Sequence, residues 1–343
     1  MKVAIFQSYL FGFRVPIFNK LNKKLSLTVF CDSYKKPVDD EILFEIKHSR
    51  LRKFYLWWQG LSNFNIKEYD AIILMLDAKI ISNLWLLFLC KLYRKKVVCW
   101  GIGLGRSSTA NKLRAFIVKF SDGVILYSKS ARDEFVVLGV GNDKIHVANN
   151  TVDFKVEPSD LNLCKKKSGI NYLFVGALEE RKGLTELVTS FNNSAYYNTK
   201  LHIVGSGPVE QSVLSLITKF GLEDRIFMYG NVTNQIKLRE LYDMCDFSIS
   251  LRQAGLSVLQ SFAFGRPFIT YKDSITGGER DNIIDDNNGF LLGHNNRFEN
   301  INEFFNAEFS KVEIERLFNN SRSTYDLSAS PNKMVNIIYG AIK

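Results

Sequence analysis

The chain has 343 residues, 46% of them hydrophobic and 23% charged, with a mean hydropathy of −0.06. That balance fits two globular domains with ample cores and excludes a disordered, low-complexity or solenoid chain. The net charge is +10, and the excess lies in the first half. There, 24 Lys and Arg stand against 12 Asp and Glu in residues 1–150, whereas the remainder has 21 against 23.

Val3-Ala-Ile-Phe opens the chain as a strand, with no cleavage signature of a secretory leader before it. A helix over 15–21 and a strand over 27–31 follow. Further strands are predicted at 71–75, 97–100 and 123–127, with helices at 80–93 and 112–120 between them. The 80–93 run is the most apolar stretch. Lys91 interrupts it, and it is shorter than the roughly 20 residues that cross a bilayer, so it reads as a buried helix. Short apolar strands alternating with helices predict a parallel sheet covered on both faces.

The polar stretch 151–169 reads as a linker. A second α/β series follows it, with strands at 172–175, 201–204, 226–229, 247–250, 267–270 and 289–292. Helices are predicted at 184–191, 209–220, 235–244 and 256–264. The expectation is α/β class: two doubly wound, Rossmann-like domains facing a central cleft, with ligands beyond the carboxyl ends of the strands. A last helical pattern, with Met334, Ile337, Ile338 and Ile342 on one face, closes the chain.

Four strand ends of the second half carry the residues of an anion-binding site. After Phe174-Val-Gly176, a loop supplies Arg181 and Lys182, and a helix starts past Gly183. Helix amides and two cations suit a diphosphate, and also a leaving group gaining negative charge. Ile203-Val-Gly-Ser-Gly-Pro208 places Gly205 and Gly207 either at a tight turn or at a close approach of backbone to ligand. Gly230, Asn231 and Val232 follow the third strand, where backbone groups can pair with the edge of a base. In the fourth segment Gly255 opens a helix. Leu256 and Ser257 there offer phosphate contacts, and Gln260, one turn on, offers a ribose contact.

In the first half, Arg14 and Arg106 lie near strand ends and are the expected acceptor contacts. Segments 50–58 and 106–120 mix cations with aromatics. They read as a membrane-surface face, a stacking surface for single-stranded nucleic acid, or an ordinary helix with an apolar core face. A basic residue near an anionic leaflet contributes about 1 kcal/mol. The five cysteines, Cys31, Cys90, Cys99, Cys164 and Cys245, form no C-x-x-C pair, and His146, His202 and His294 are not at zinc spacing from them. They read as buried free thiols in a reducing compartment.

The ordered set Phe174-Val-Gly, Lys182-Gly, Ile203-Val-Gly-Ser-Gly-Pro, Phe227-Met-Tyr-Gly-Asn-Val, Leu241-Tyr-Asp-Met-Cys-Asp and Gly255-Leu through Gly265-Arg-Pro resembles the C-terminal domain of the family 4 glycosyltransferases over residues 170–292. Phe13-Arg-Val-Pro-Ile-Phe18 is similar to a segment of their N-terminal domain. The resemblance implies a GT-B fold, with a nucleotide-diphosphate sugar bound in the second domain and an acceptor in the first. It also implies retention of configuration, no metal, and no cofactor beyond the donor itself. Lys182 then falls at the diphosphate and Gln260 at the ribose, and the expected catalytic residues are Lys182, Arg181 and Arg252. Two glutamates that the family spaces eight apart are replaced by Arg252 and Gln260, and the usual arginine after the first strand by Ala177. Trp100-Gly-Ile-Gly-Leu-Gly-Arg106 has no equivalent of the family's histidine.

The expected domains are 1–150 for the acceptor, 170–325 for the donor, and a helix over 326–343 that returns to the first domain, with hinge closure on the donor. The expected acceptor is lipid-linked or a cell-surface polysaccharide, and the expected location is the cytoplasm, peripheral on an anionic membrane face, with no nucleic-acid partner. A degenerate transferase serving as a nucleotide-sugar-binding scaffold, a nucleotide-sugar epimerase, and a nucleic-acid-binding protein are the competing readings.

Overall fold

The computed structural model describes residues 1–34, 41–53, 55–156, 169–194 and 198–343. Most of the expected linker, Cys164 included, lies outside the described residues. Two compact units emerge: Met1–Asp153 with Ser328–Lys343, and Phe154–Leu327.

Unit 1 is built on seven parallel strands: β1 (Lys2–Phe6), β2 (Ser26–Cys31), β3 (Glu45–His48), β4 (Ala71–Met75), β5 (Lys96–Gly101), β6 (Gly123–Leu126) and β7 (Ile145–Val147). Their order across the sheet is β7-β6-β5-β4-β1-β2-β3. Val3 stands beside Leu27 on one side and Ala71 on the other. The chain winds outward from β1 through β2 to β3, then crosses to β4 and winds the other way. The switch point is therefore between β1 and β4, as in dinucleotide-binding sheets.

Strand periodicity divides the core in two. Val3, Ile5, Val29, Ile73, Val98 and Ile125 face α1 (Val15–Asn22). Ala4, Phe6, Ile72, Leu74, Val97, Cys99, Val124 and Leu126 face the side with α2 (Ser82–Leu92), α3 (Ser108–Phe120) and α4 (Lys129–Val137). Side chains alternate along a strand, so the continuous apolar runs are what a sheet buried on both faces requires. α3 starts four residues before its predicted start because the Ser107 hydroxyl accepts from the Ala110 amide and caps it. The sequence reading passed over α4, whose hydrophobic residues are few. The 50–58 segment is no helix. Leu51–Lys53 and Trp57–Gln59 form an antiparallel ladder, and Phe54 is outside the described residues.

Unit 2 repeats the plan. Its strands are β8 (Asn171–Val175), β9 (Lys200–Val204), β10 (Ile226–Met228), β11 (Phe247–Ile249), β12 (Phe268–Tyr271) and β13 (Gly289–Leu292). They are ordered β10-β9-β8-β11-β12-β13, all parallel. α5 (Leu184–Asn192), α6 (Glu210–Phe220), α7 (Gln235–Asp243) and α8 (Leu256–Ala263) connect them. Tyr172 and Phe174 enter one core cluster and Leu173 the opposite one. Two helices beyond the last predicted strand, α9 (Ile301–Phe305) and α10 (Lys311–Thr324), complete the unit.

α11 (Pro331–Ile342) belongs to unit 1. Its Ser330 cap accepts from the Lys333 amide, and Met334, Val335, Ile338 and Ile342 sit in the same cluster as α1 and the first sheet face. Ile338 is fully buried. Ile338→Ala therefore costs about 2–5 kcal/mol, the range for a buried large-to-small change, seen as a lower urea midpoint at unchanged slope. A loss under about 1 kcal/mol would mean that α11 is not part of the unit 1 core.

Candidate functional site

In unit 2 the strand order reverses between β8 and β11, and the loops after these two neighbours flank the crevice where ligands of such sheets sit. The β8 loop runs from Gly176 through a short turn, Glu180–Lys182, to α5. Gly183 makes the corner in the left-handed region, with φ of 72°. A β-carbon there would also stand 2.9 Å from Cγ of Arg252, so the corner requires glycine twice over. The β11 loop passes through Arg252 and enters α8 at Gly255. Neither α5 nor α8 has a side-chain cap, so both present free amides at adjacent strand ends.

Lys182 is half-buried, with its ammonium against Gly176: a β-carbon on Gly176 would lie 3.8 Å from Nζ. Among the described residues no carboxylate forms an ion pair with it. Burial, then the neighbouring Arg181, lower its pKa from the usual lysine value, while Glu179 and Glu279 pull it back up. Arg181 is exposed and held by Glu179 Oε2. Of the basic pair, Lys182 is therefore the one lying against the strand end. Arg252 donates from Nε to Glu186 Oε2 at 2.7 Å, and Tyr271 donates to the other oxygen of that carboxylate at 2.7 Å. The Arg252 amide approaches the Lys182 carbonyl at 3.5 Å, which ties the two loops together.

Gly205 and Gly207 are explained by backbone packing. A β-carbon on Gly205 would be 1.9 Å from the Gly176 carbonyl oxygen, and one on Gly207 2.5 Å from that of Leu178. Gly205 donates to the Gly230 carbonyl at 2.8 Å, which joins the β9 and β10 loops. Past that point Asn231 is exposed and Val232 packs against the core cluster of Leu173. At the α8 entry, Leu256, Ser257 and Gln260 are half-buried. The Ser257 hydroxyl and the Gln253 side-chain carbonyl are both buried without a hydrogen-bond partner.

Gln253, Glu186, Tyr271 and Glu279 escaped the sequence reading. Glu279 is buried and accepts from the Gly277 amide at 2.9 Å. The segment just before it, Ile275–Thr276, pairs in parallel with Gln253–Ala254, bringing a carboxylate close enough to act on Lys182. The Gly277-Gly278-Glu279 run is the signal that could have marked it.

Arg14 and Arg106 belong to unit 1. Arg106 is exposed in the loop after β5. Arg14 is buried, stacked near the rings of Trp100, Tyr127 and Phe13 and bonded to Tyr127 and Asn150. Cys31, Cys90, Cys99 and Cys245 are buried thiols outside any disulfide. Burial pushes the Cys31 thiol up to about 11 and those of Cys90 and Cys99 to about 12.

Residues 162–307 match the family model for glycosyl transferases group 1. The chain is 27% identical over 173 residues to N-acetyl-alpha-D-glucosaminyl L-malate synthase of Bacillus anthracis, a match covering 48% of this chain and 45% of that protein. The chain thus matches less than half the length of this curated relative. In fold it is similar to Anabaena Alr3699/HepE in complex with UDP, with a TM-score of 0.71 at 16% identity, covering 100% of this chain and 99% of the other. It is likewise similar to the lipopolysaccharide outer core galactosyltransferase WaaB in its apo form, with a TM-score of 0.68 at 16% identity, covering 100% and 99%. The architecture is that of the two-Rossmann GT-B proteins, and the chain resembles their family 4 glycosyltransferases.

The lowered pKa of Lys182 makes a signed prediction. At neutral pH the ammonium form carries a penalty in the folded chain. As pH rises through the folded-state value towards the unfolded one, the folded chain loses its proton first and the penalty is relieved. Lys182→Met should gain most over the parent near pH 7, and the gain should shrink towards about pH 10 in paired urea titrations. A gain that is flat or grows with pH would contradict the burial of a charged Lys182.

Proposed function

We propose that this family 4-like GT-B chain transfers a sugar from a nucleoside diphosphate sugar held by unit 2 to an acceptor held by unit 1. One observation carries the reading. At the switch point of the second sheet, two helix N-termini without side-chain caps and a half-buried lysine with no ion-pair partner among the described residues lie at neighbouring strand ends, a combination suited to a diphosphate. The fold relatives strengthen it, because the HepE structures hold UDP and UDP-glucose.

In this reading the C1–O bond to the diphosphate breaks, and its electron pair leaves on oxygen. Lys182 Nζ and the amides of α5 and α8 stabilise that charge as it forms. The acceptor hydroxyl attacks the oxocarbenium-like carbon from the face the diphosphate vacates, and its proton passes to the departing phosphate oxygen, with retention of configuration. Gln260 takes the ribose, and backbone groups of Gly230–Val232 take the base. Arg252, anchored by Glu186, and Arg181 lie beside the leaving group. The reaction is proposed to need no metal. Among the described residues, no three His, Cys, Asp or Glu side chains are grouped to hold one.

The proposed acceptor is lipid-linked or a surface polysaccharide, met at the cytoplasmic face of an anionic membrane. Supporting this, α2 and α3 expose Trp85, Phe88, Leu92, Phe116 and Phe120 in the basic half of the chain. Aromatic and cationic groups together suit a headgroup interface. No described helix is long and apolar enough to cross a membrane.

Thermal unfolding against a panel of nucleoside diphosphates and nucleotide sugars, UDP and UDP-glucose first, tests the donor. A ligand at 100 times its dissociation constant stabilises by about 2.7 kcal/mol. Lys182→Ala should lose about tenfold or more in affinity, the worth of a charge-assisted contact. No shift with any nucleotide would sink the donor reading. Binding without turnover would favour the scaffold reading, and release of an altered sugar without acceptor the epimerase. Flotation with liposomes tests the surface: binding should require anionic lipid and fall in a Trp85→Ser/Phe88→Ser variant. Equal, negligible binding with and without anionic lipid would remove the membrane from the proposal.

A further inference from the structure

Two buried donors in unit 1 have no acceptor among the described residues. Nη1 of Arg14 and Nε1 of Trp100 are both shut from water and without a hydrogen-bond partner. They are neighbours, since the guanidinium carbon of Arg14 lies 4.9 Å from the Trp100 ring centroid. Buried polar groups are nearly always paired, so two adjacent orphans need a cause. Here one of them is a cation. Arg14 is only 6% exposed, and its hydrogen bonds go to two neutral acceptors, Tyr127 Oη at 2.5 Å and Asn150 Oδ1 at 2.9 Å. Among the described residues no carboxylate pairs with it. Ring faces attract a guanidinium, yet they leave its N–H groups unbonded.

The position of the pair is as informative as its chemistry. Arg14 follows β1 at the start of α1, Trp100 is the penultimate residue of β5, Tyr127 comes directly after β6, and Asn150 is three residues past β7. Four chain segments therefore bring these groups to the carboxyl edge of one parallel sheet, where such sheets bind ligands. A guanidinium needed only for packing would not require such an assembly, because an apolar side chain of similar volume usually serves a core as well or better.

The geometry points to an oxyanion site in unit 1, in which Arg14 Nη1 and Trp100 Nε1 donate to a phosphate or carboxylate carried by the acceptor. Guanidinium and indole N–H groups are donors only, which selects an acceptor-rich anion over a neutral hydroxyl. Of the three rings on the guanidinium, Trp100 and Tyr127 are buried and Phe13 is half-buried. Phe13 is therefore the most accessible of the three rings around the guanidinium. The site deepens the reading of unit 1 as the acceptor half and rests on it for the ligand's identity, while its test uses neither donor nor turnover.

The test is calorimetric titration of the full chain carrying Lys182→Ala, which weakens the diphosphate site of unit 2, so that the Arg14 and Trp100 substitutions report on unit 1. Inorganic phosphate, pyrophosphate and L-malate are titrated separately. At least one should bind saturably, and the arm that binds assigns a phosphate or a carboxylate. Adding Arg14→Met should weaken that binding about tenfold or more, the effect of a lost hydrogen bond to a charged group. Adding Trp100→Phe, which keeps a ring and removes only the donor, should weaken it by a smaller factor and covers the case in which Arg14→Met fails to fold. Absence of saturable binding in all three arms, or binding unchanged by both substitutions, overturns the proposal. A donor assay that fails while this titration succeeds would sink the unit 2 reading alone.

Discussion

The carbonyl oxygen of Gly176 occupies the space in which a side chain at residue 205 would begin, only 1.9 Å from where its β-carbon would lie. This backbone-on-backbone contact sets the carboxyl edge of the second sheet. It presses the loop after β8 onto the loop after β9, and the Gly205 amide carries the tie on to Gly230. With those loops fixed, the turn at Gly183 has one course open to it. It brings the Lys182 ammonium over Gly176 and its carbonyl to the Arg252 amide. A side chain at Gly205 would force the β8 and β9 loops apart, and one at Gly183 would press on Arg252.

The charges around that edge are arranged so that one of them has no ion-pair partner among the described residues. Arg181 is matched by Glu179, and Arg252 by a carboxylate that Tyr271 also holds. Pairs this exposed contribute little to stability. Their consequence is geometric: they hold their own guanidinium groups and leave Lys182 half-buried beside two free helix termini. Glu279, buried and fixed by a backbone amide, adds a carboxylate whose field reaches the same lysine.

The two units share a strand order over six strands, the first adding a seventh at one edge, and their carboxyl edges are equipped differently. The second collects glycines, exposed cations with carboxylate partners and uncapped helices. The first buries an arginine among aromatic rings and carries the chain's excess basic charge on its surface. Equal topology with unequal edges is how one architecture accommodates two different ligands, since chemistry resides in the site and not in the fold.

The sequence by itself determined the elements whose signal is local. Val3-Ala-Ile-Phe, Tyr172-Leu-Phe-Val and their fellows read as strands because a sheet covered on both faces needs unbroken apolar runs. The spacing of Met334, Ile338 and Ile342 marked the last helix for the same kind of reason. Order along the chain also exposed the glycine and lysine loops at the strand ends. Only the tertiary structure decided what those loops meet. Leu51–Lys53 and Trp57–Gln59 became a ladder because strand partners, invisible to periodicity, satisfied their backbone. Glu186, Tyr271 and Glu279 reach the site from 66, 19 and 27 residues away from Arg252, through parallel crossovers whose lengths leave no spacing to recognise. In the sequence Arg14 is marked only by its place near a strand end, and nothing there shows that it is buried. It is buried because β5, β6 and β7 end beside it, and burial without a carboxylate is a property of the folded neighbourhood that no single stretch of sequence encodes.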